Sequence, residues 1–268
     1  MKLQFSKYHG SGNDFIMVDS RKNVMADRSV ATIAALCDRH FGIGADGLIV
    51  LEESAVADFR MVYYNSDGRP GTMCGNGGRC TTLFARRSEW INSDSCRFEA
   101  LDGLHEVTLL TGERNATVGE VRLGLHNVDG AERISEGYLL DTGSPHLVMF
   151  VEDVEKVDVF GLGRKFRQDE RFKDGTNVNF VQKGTGEIIV RTYERGVEDE
   201  TLSCGTGVAA AAMATFLDND GFGTSIPVKT RGGKLRVNFQ PSENLDHFSE
   251  VFLTGPATEV FKGTIDMV

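Results

Sequence analysis

Two short segments concentrate the chemistry of this sequence: Met73-Cys74-Gly75-Asn76-Gly77-Gly78 and Ser203-Cys204-Gly205-Thr206-Gly207-Val208. Each sets a cysteine before a Gly-x-Gly stretch and a run with the pattern of a helix, 78–87 after the first and 207–217 after the second. The start of a helix has backbone N–H groups without intrahelical acceptors and the positive end of the dipole. It therefore favours an anion, either a thiolate or a ligand carboxylate. Glycines beside the cysteine let the backbone approach that ligand closely. A tight Cys-Gly turn is also a common packing device, and a single one would imply no more than packing. Here the contexts match: RMVYYNSDGRPGTMCGNGGRC and RTYERGVEDETLSCGTGV each run strand, polar loop, cysteine, with the thiols 204 − 74 = 130 residues apart. That repetition points to paired reactive thiols in two equivalent halves.

Two thiols suit the inversion of a carbon that bears one hydrogen. One group takes a proton from one face while the other delivers a proton to the opposite face, and the roles exchange in the reverse direction. A free thiol titrates near about 8.5, so modest tuning gives a usable base at neutral pH. The α-proton of an amino acid is a much weaker acid. Donors aimed at its carboxylate, such as helix-start N–H groups, would have to stabilise the enolate character that develops.

Several elements must position these residues. Short apolar runs bounded by Gly, Asn, Asp and Pro predict strands at 3–5, 15–18, 48–51, 59–64, 107–110, 118–123, 139–140, 147–150, 178–181, 188–192, 226–229, 235–239 and 251–254. A third helical pattern covers 29–38, capped from the Asp27-Arg28 region. Strands in such excess predict an α+β fold rather than alternating βαβ units. The halves are placed at 1–117, carrying Cys74, and 118–255, carrying Cys204. With 40% hydrophobic and 25% charged residues, the 268-residue chain has globular composition, and its net charge of −10 argues against nucleic-acid or anionic-membrane partners. No apolar run approaches transmembrane length and the start of the chain lacks a signal-peptide pattern, so a cytoplasmic location is expected. Five widely spaced cysteines fit neither a disulfide framework nor a zinc site, and no metal is expected. Cys37 lies in a helical pattern with apolar neighbours and is expected in the core, and Cys80 and Cys96 carry no activating pattern. Gly42-Ile-Gly44-Ala-Asp-Gly47 fits G-x-G-x-x-G but has its helix before and its strand after, the reverse of a dinucleotide site, and is taken as a turn. Asp141-Thr-Gly-Ser144 lacks the second such aspartate that an aspartic protease needs. His146 alone in a loop, and the adjacent Glu194 and Arg195, are more often a structural histidine and a surface ion pair than site residues.

With these residues in view, the sequence resembles the diaminopimelate epimerases, isomerases that work without pyridoxal phosphate. The resemblance rests on KYHGSGNDF (7–15), GIGADGL (42–48), YNSDGRPGTMCGNGGRC (64–80), GSPH (143–146), GTNVNFV (175–181) and YERGVEDETLSCGTG (193–207), in the family's order. It implies two similar halves, each a mostly antiparallel, barrel-like sheet wrapped around a central helix, with the active site in the cleft between them and residues 256–268 returning to the first half. It implies Cys74 and Cys204 as the catalytic pair, Cys204 being the base from the L,L substrate. Gly75, Asn76, Gly205 and Thr206 would offer donors to the reacting carboxylate, while Asn13, Asn65, Asn177, Glu194 and Arg195 would hold the substrate, chiefly its distal end. His146 and Glu194 would modulate the thiols. No cofactor is expected, the partner is the small molecule diaminopimelate, the pathway is lysine and peptidoglycan-precursor synthesis, and a homodimer is expected. The family often has Asn where Ser144 stands, and some members Gln at Gly47. Two other readings remain open from the residues: a related isomerase of the proline-racemase or phenazine type, and a redox protein in which the two cysteines form a reversible disulfide.

Overall fold

The structure is a computed structural model and describes residues 2–22, 25, 27–218, 221–245 and 247–267. The chain forms two compact units, Met1–Leu123 with Gly255–Val268, and Gly124–Thr254. The strand 118–124 therefore belongs almost wholly to the first unit, and the division falls at its end rather than at 117/118.

In the first unit the elements run β1 (Lys2–Gly10), β2 (Asn13–Asp19), α1 (Val30–Cys37), β3 (Gly47–Glu52), β4 (Phe59–Asn65), α2 (Gly75–Arg87), β5 (Ser95–Ala100), β6 (Gly103–Thr111) and β7 (Val118–Gly124). The second unit contains β8 (Val128–Asp129), β9 (Glu132–Ile134), β10 (Gly137–Asp141), β11 (Pro145–Phe150), α3 (Val159–Arg167), β12 (Asn177–Lys183), β13 (Ile188–Glu194), β14 (Asp199–Thr201), α4 (Gly205–Leu217), β15 (Ser225–Thr230) and β16 (Gly233–Pro241). The last strand, β17 (His247–Asp266), gives its first part to the second unit and its remainder to the first.

Ladder pairing closes the first unit into a barrel: β1 to β2, onward in order to β7, then to the end of β17, which returns to β1. All of these pairs are antiparallel except β2–β3 and β4–β5, which are parallel and joined through α1 and α2. The second unit repeats the plan. Its parallel pairs are β11–β12 across α3 and β13–β15 across α4, and the start of β17 pairs with both β16 and β8. So the sheets are mostly antiparallel, as expected for α+β, but each contains two β-α-β crossovers.

The two kinds of helix have different sequences because they are buried differently. α2 is buried from Asn76 through Ala85 inside its barrel, where Gly77 and Gly78 leave room for Phe15, Ile49, Met61, Phe98 and Leu123. α4 is buried from Gly207 through Thr215, and its Ala209-Ala210-Ala211-Ala212 run lets Val148, Val181, Val190, Val237 and Phe239 pack close around it. A helix enclosed by a sheet on all sides has no polar face and little width for side chains. α1 and α3 instead lie on the outer sheet surfaces, α1 over Ile16, Val18, Leu48 and Val50, and α3 over Val178, Phe180 and Tyr193. β3 is thus apolar on both faces, which accounts for its unbroken Leu48-Ile-Val-Leu51 run. The cap of α1 is Ser29, whose hydroxyl accepts from Thr32 N–H at 3.3 Å, rather than the Asp27-Arg28 segment.

Candidate active site

Both cysteines are helix N-caps. Cys74 precedes α2 and Cys204 precedes α4, each in extended backbone (φ −105° and −106°). The helices start at Gly75 and Gly205, three and two residues earlier than the sequence pattern suggests, because the glycines join the first turn. The first intrahelical bonds run from Gly78 N–H to Cys74 O at 2.7 Å and from Val208 N–H to Cys204 O at 2.9 Å. The N–H groups of 75–77 and 205–207 therefore lie ahead of the ladder and point out of the helix start.

In the first unit a network of charges fixes one amide. Asp14 accepts from Lys7 at 2.7 Å and Arg39 at 2.8 Å, and Arg39 also reaches Asp46 at 2.6 Å. Lys7 further donates to Gly44 O in the turn that the G-x-G-x-x-G pattern forms. Burial pushes the Asp14 carboxyl up, but the hydrogen bonds from Arg39 and Lys7 outweigh it and hold that group well below the usual carboxylate range. Asp46, positioned by Asp14, accepts from Asn13 Nδ2 at 2.7 Å. With its NH2 so taken, Asn13 turns Oδ1 toward the start of α2, where it accepts from Cys74 Sγ at 3.4 Å and from Asn76 Nδ2 at 3.3 Å. Asn13, Cys74 and Asn76 are thereby brought together. Asn65, at the end of β4, instead reaches Arg69 O at 3.5 Å from its Nδ2.

In the second unit the corresponding network is built around a buried histidine. His146, fully buried, has Nδ1 3.1 Å from Asn179 Nδ2. Asn179 is oriented by two further bonds, Nδ2 to Leu147 O at 3.1 Å and Oδ1 accepting from Thr192 at 2.9 Å. Its NH2 thus donates to Nδ1, which must be the unprotonated nitrogen, and the ring proton sits on Nε2. Nε2 lies 3.0 Å from Thr206 Oγ1 and 3.1 Å from Ser144 Oγ. A protonated Nε2 cannot accept, so the Thr206 hydroxyl hydrogen is available to Cys204 Sγ, 3.5 Å away. Asn177 joins the same face of β12, donating to Ser144 Oγ at 3.2 Å and accepting from Arg195 N–H at 2.8 Å. Glu194 accepts from Thr201 at 2.8 Å and Arg195 donates to Asp174 O at 3.1 Å.

Burial is the main reason that His146 titrates low, down to about 3, with the Arg195 charge adding to it and the Asn179 bond opposing it. The imidazole is therefore neutral near neutral pH. The sign of its effect on stability follows: below about 6.5 the unfolded chain binds a proton at this position that the folded chain refuses. Stability is complete above that pH and falls as pH drops toward 3. Replacing His146 by Gln should flatten the pH dependence of the unfolding free energy between about pH 6 and 4, by at most about 1.4 kcal/mol per pH unit. Denaturant unfolding at a series of pH values measures this slope, and an unchanged slope would place the histidine in a different charge state.

The remaining cysteines are inert by position. Burial pushes the Cys37 thiol up to about 11, Cys96 to about 12, and Cys80 further still. Asp46, Arg79, Asn179 and Thr192 are site-supporting residues that sequence reasoning did not single out.

Comparison with known proteins follows the same two-part plan. The diaminopimelate epimerase family profile matches residues 5–124 and 138–260. A diaminopimelate epimerase from Flavobacterium psychrophilum is 44% identical over 98% of this chain and all of its own length. One from Chlorobaculum tepidum is 43% identical over 96% of this chain and 99% of its own. Among solved structures, a phenazine biosynthesis protein of the PhzF family from Bacillus anthracis superposes with a TM-score of 0.74 at 14% identity, covering 99% of both chains. A hydroxyproline epimerase from Agrobacterium vitis gives 0.68 at 14% identity, over 98% of this chain and 91% of its own. At such identities these structures show a shared fold. No described helix is long and apolar enough to cross a membrane. From the near-complete sequence relationship, the chain belongs to the diaminopimelate epimerase family, a family of isomerases.

Proposed function

We propose that this chain interconverts L,L- and meso-2,6-diaminopimelate by transferring protons on opposite faces of one α-carbon with Cys204 and Cys74. The observation that carries the reading is the opposite polarity of the two thiol environments. Cys74 Sγ faces an acceptor, Asn13 Oδ1, an environment that favours the thiol. Cys204 Sγ faces a hydroxyl whose hydrogen His146 cannot take, an environment that favours a thiolate. In the direction from the L,L isomer, Cys204 removes the α-proton. The electron pair of the broken C–H bond passes into the carboxylate, which gains enolate character, and Cys74 S–H then protonates the other face. The products of the step are the inverted carbon, a Cys204 thiol and a Cys74 thiolate, which is the starting arrangement for the reverse direction. Helix-start N–H groups at Gly75, Asn76, Gly205 and Thr206 would stabilise the carboxylate as charge builds on it. The reading requires both helix starts to address one substrate. Asn13, Asn65, Asn177, Glu194 and Arg195 would hold the rest of it, an arginine and an acid suiting the distal carboxylate and ammonium.

The test is to incubate the reduced, pure protein with L,L-diaminopimelate in D2O without added cofactor. The meso product should carry deuterium at the inverted carbon from its first appearance, while early residual substrate stays largely protiated. Retention of the original hydrogen at that carbon would show one base serving both faces and would overturn the two-thiol reading.

A further inference from the structure

The start of α2 holds a charge that its surroundings do not neutralise. Arg79 is fully buried, and its side chain folds back toward the N-terminus of the helix. Its guanidinium donates to Asn76 Oδ1 at 2.9 Å, Ser11 Oγ at 3.1 Å, Gly75 O at 3.3 Å and Pro256 O at 3.3 Å. All four acceptors are uncharged. Burial disfavours the cation, and the positive end of the helix dipole is the wrong end for it. An arginine still keeps its proton in such a setting, so the site contains a fixed positive charge. The ionisable groups that act on it are Cys80 and Cys74.

Among the described residues, the neighbouring elements supply no counter-charge. Lys7 from β1 and Arg39 from the turn after α1 are matched by Asp14 from β2 and Asp46 from the turn before β3. Tyr8 from β1 donates to Glu259 at 2.8 Å, and Glu259 is paired with Arg87 at 3.0 Å. His9 accepts from Gly12 N–H at 3.4 Å. Cys80, on α2 itself, is held as a thiol by its burial. The matching position in the second unit carries no charge: five residues after Cys204 stands Ala209, also fully buried.

We infer that Arg79 is a positioning residue that acts through Asn76 and by its charge, holding Asn76 against Asn13 and stabilising the Cys74 thiolate once that thiol has given up its proton. The inference rests on the two-thiol reading and gives it a chemical asymmetry. Cys74 starts as an acid because Asn13 accepts from it, and it becomes a tolerable anion because Arg79 is unneutralised nearby. Cys204 relies instead on a hydroxyl and a neutral ring.

The experiment follows iodoacetamide alkylation of Cys74 by peptide mapping from about pH 6 to 10 in the full-length reduced protein, since the thiolate is the reactive form. Arg79→Gln removes the charge and should raise the alkylation midpoint by about one pH unit, slowing alkylation near neutral pH about tenfold. Arg79→Lys keeps a charge without the fork and should stay near the wild-type midpoint, as a merely structural role would not allow. Ser11→Asp leaves Arg79 in place but sets a carboxylate against it, and should also raise the midpoint. Ser11 has φ 55°, a conformation that Asp tolerates. Ser11→Asp decides the matter if Arg79→Gln does not fold. A Cys74 midpoint unmoved in the folded charge-altering variants would overturn the inference while leaving the two-thiol reading intact. Failure of the wild-type chain to exchange α-protons would sink that reading instead.

Discussion

Cys74→Ala and Cys204→Ala should each reduce interconversion of L,L- and meso-diaminopimelate by roughly 10²–10⁴-fold, the contribution expected of a positioned acid or base. The double variant should be little worse than either single one, because groups that act in one proton relay are strongly non-additive. In the proposed mechanism each sulfur serves one face, so loss of either should break the exchange in both directions. Cys→Ser separates position from acidity. A serine retains the N-cap geometry of Cys74 or Cys204 but ionises far too weakly to rest as an anion at neutral pH. Each serine variant should therefore exchange an α-hydrogen with D2O from one face only, and the face should swap between the two. Alanine at Cys37, Cys80 or Cys96 should leave turnover nearly unchanged, at a stability cost of about 1–2 kcal/mol for a buried position. Steady-state assays in both directions check all of these. Near-normal turnover in Cys74→Ala would remove this thiol from the mechanism.

The parts of this site legible in the sequence are those set by local physics. The two Cys-Gly-x-Gly segments announce helix starts because glycine and a following helical pattern are short-range signals, and every predicted strand run lies in a ladder. Elements fixed by their neighbours were invisible. α3 carries Gly161 and Gly163, poor helix formers, and exists because Val159 and Phe166 pack on β12 and β13 while Asp158 caps it at 2.9 Å. The β5 segment SCRFEA is short and mixed in polarity, and becomes a strand by pairing between β4 and β6. Only four residues of β17 were expected, yet it runs over twenty because it completes both sheets. The supporting residues show the same division. Asn179 was within reach, since it lies two residues after Asn177 on the same face of a strand. Asp46 and Arg79 were not, because a turn carboxylate and a helical arginine acquire meaning only when Asn13 and Asn76 are found against them.

Gly207→Ala puts the second-unit network to a test that isolates geometry from chemistry. In the third position of an exposed helix this change would stabilise by nearly 1 kcal/mol, because glycine is the poorer helix former. Here the new methyl would sit 2.4 Å from Asn179 Oδ1 and 3.3 Å from His146 Cε1. Asn179 cannot retreat, since it is fully buried and held by Thr192, Leu147 and His146 at once. Overpacking of this kind costs about 1–3 kcal/mol, so the net effect should be a loss of stability. Activity should suffer more. Displacing Asn179 releases the hydrogen bond that fixes the His146 ring proton on Nε2, which frees Thr206 to turn its hydroxyl away from Cys204. Misplacement by about an ångström near a reacting group is worth roughly a hundredfold in rate, and kcat should fall by that order with little change in KM. Gly78→Ala, at the matching helix start, is the control. The atoms nearest its methyl would be the side-chain tips of Leu123 and Phe98 at 3.3 Å, apolar groups that can shift, so stability should stay within about 1 kcal/mol of wild type. Equal stability and turnover for Gly207→Ala and the wild-type chain would mean that the Asn179–His146–Thr206 contact does not set the state of Cys204.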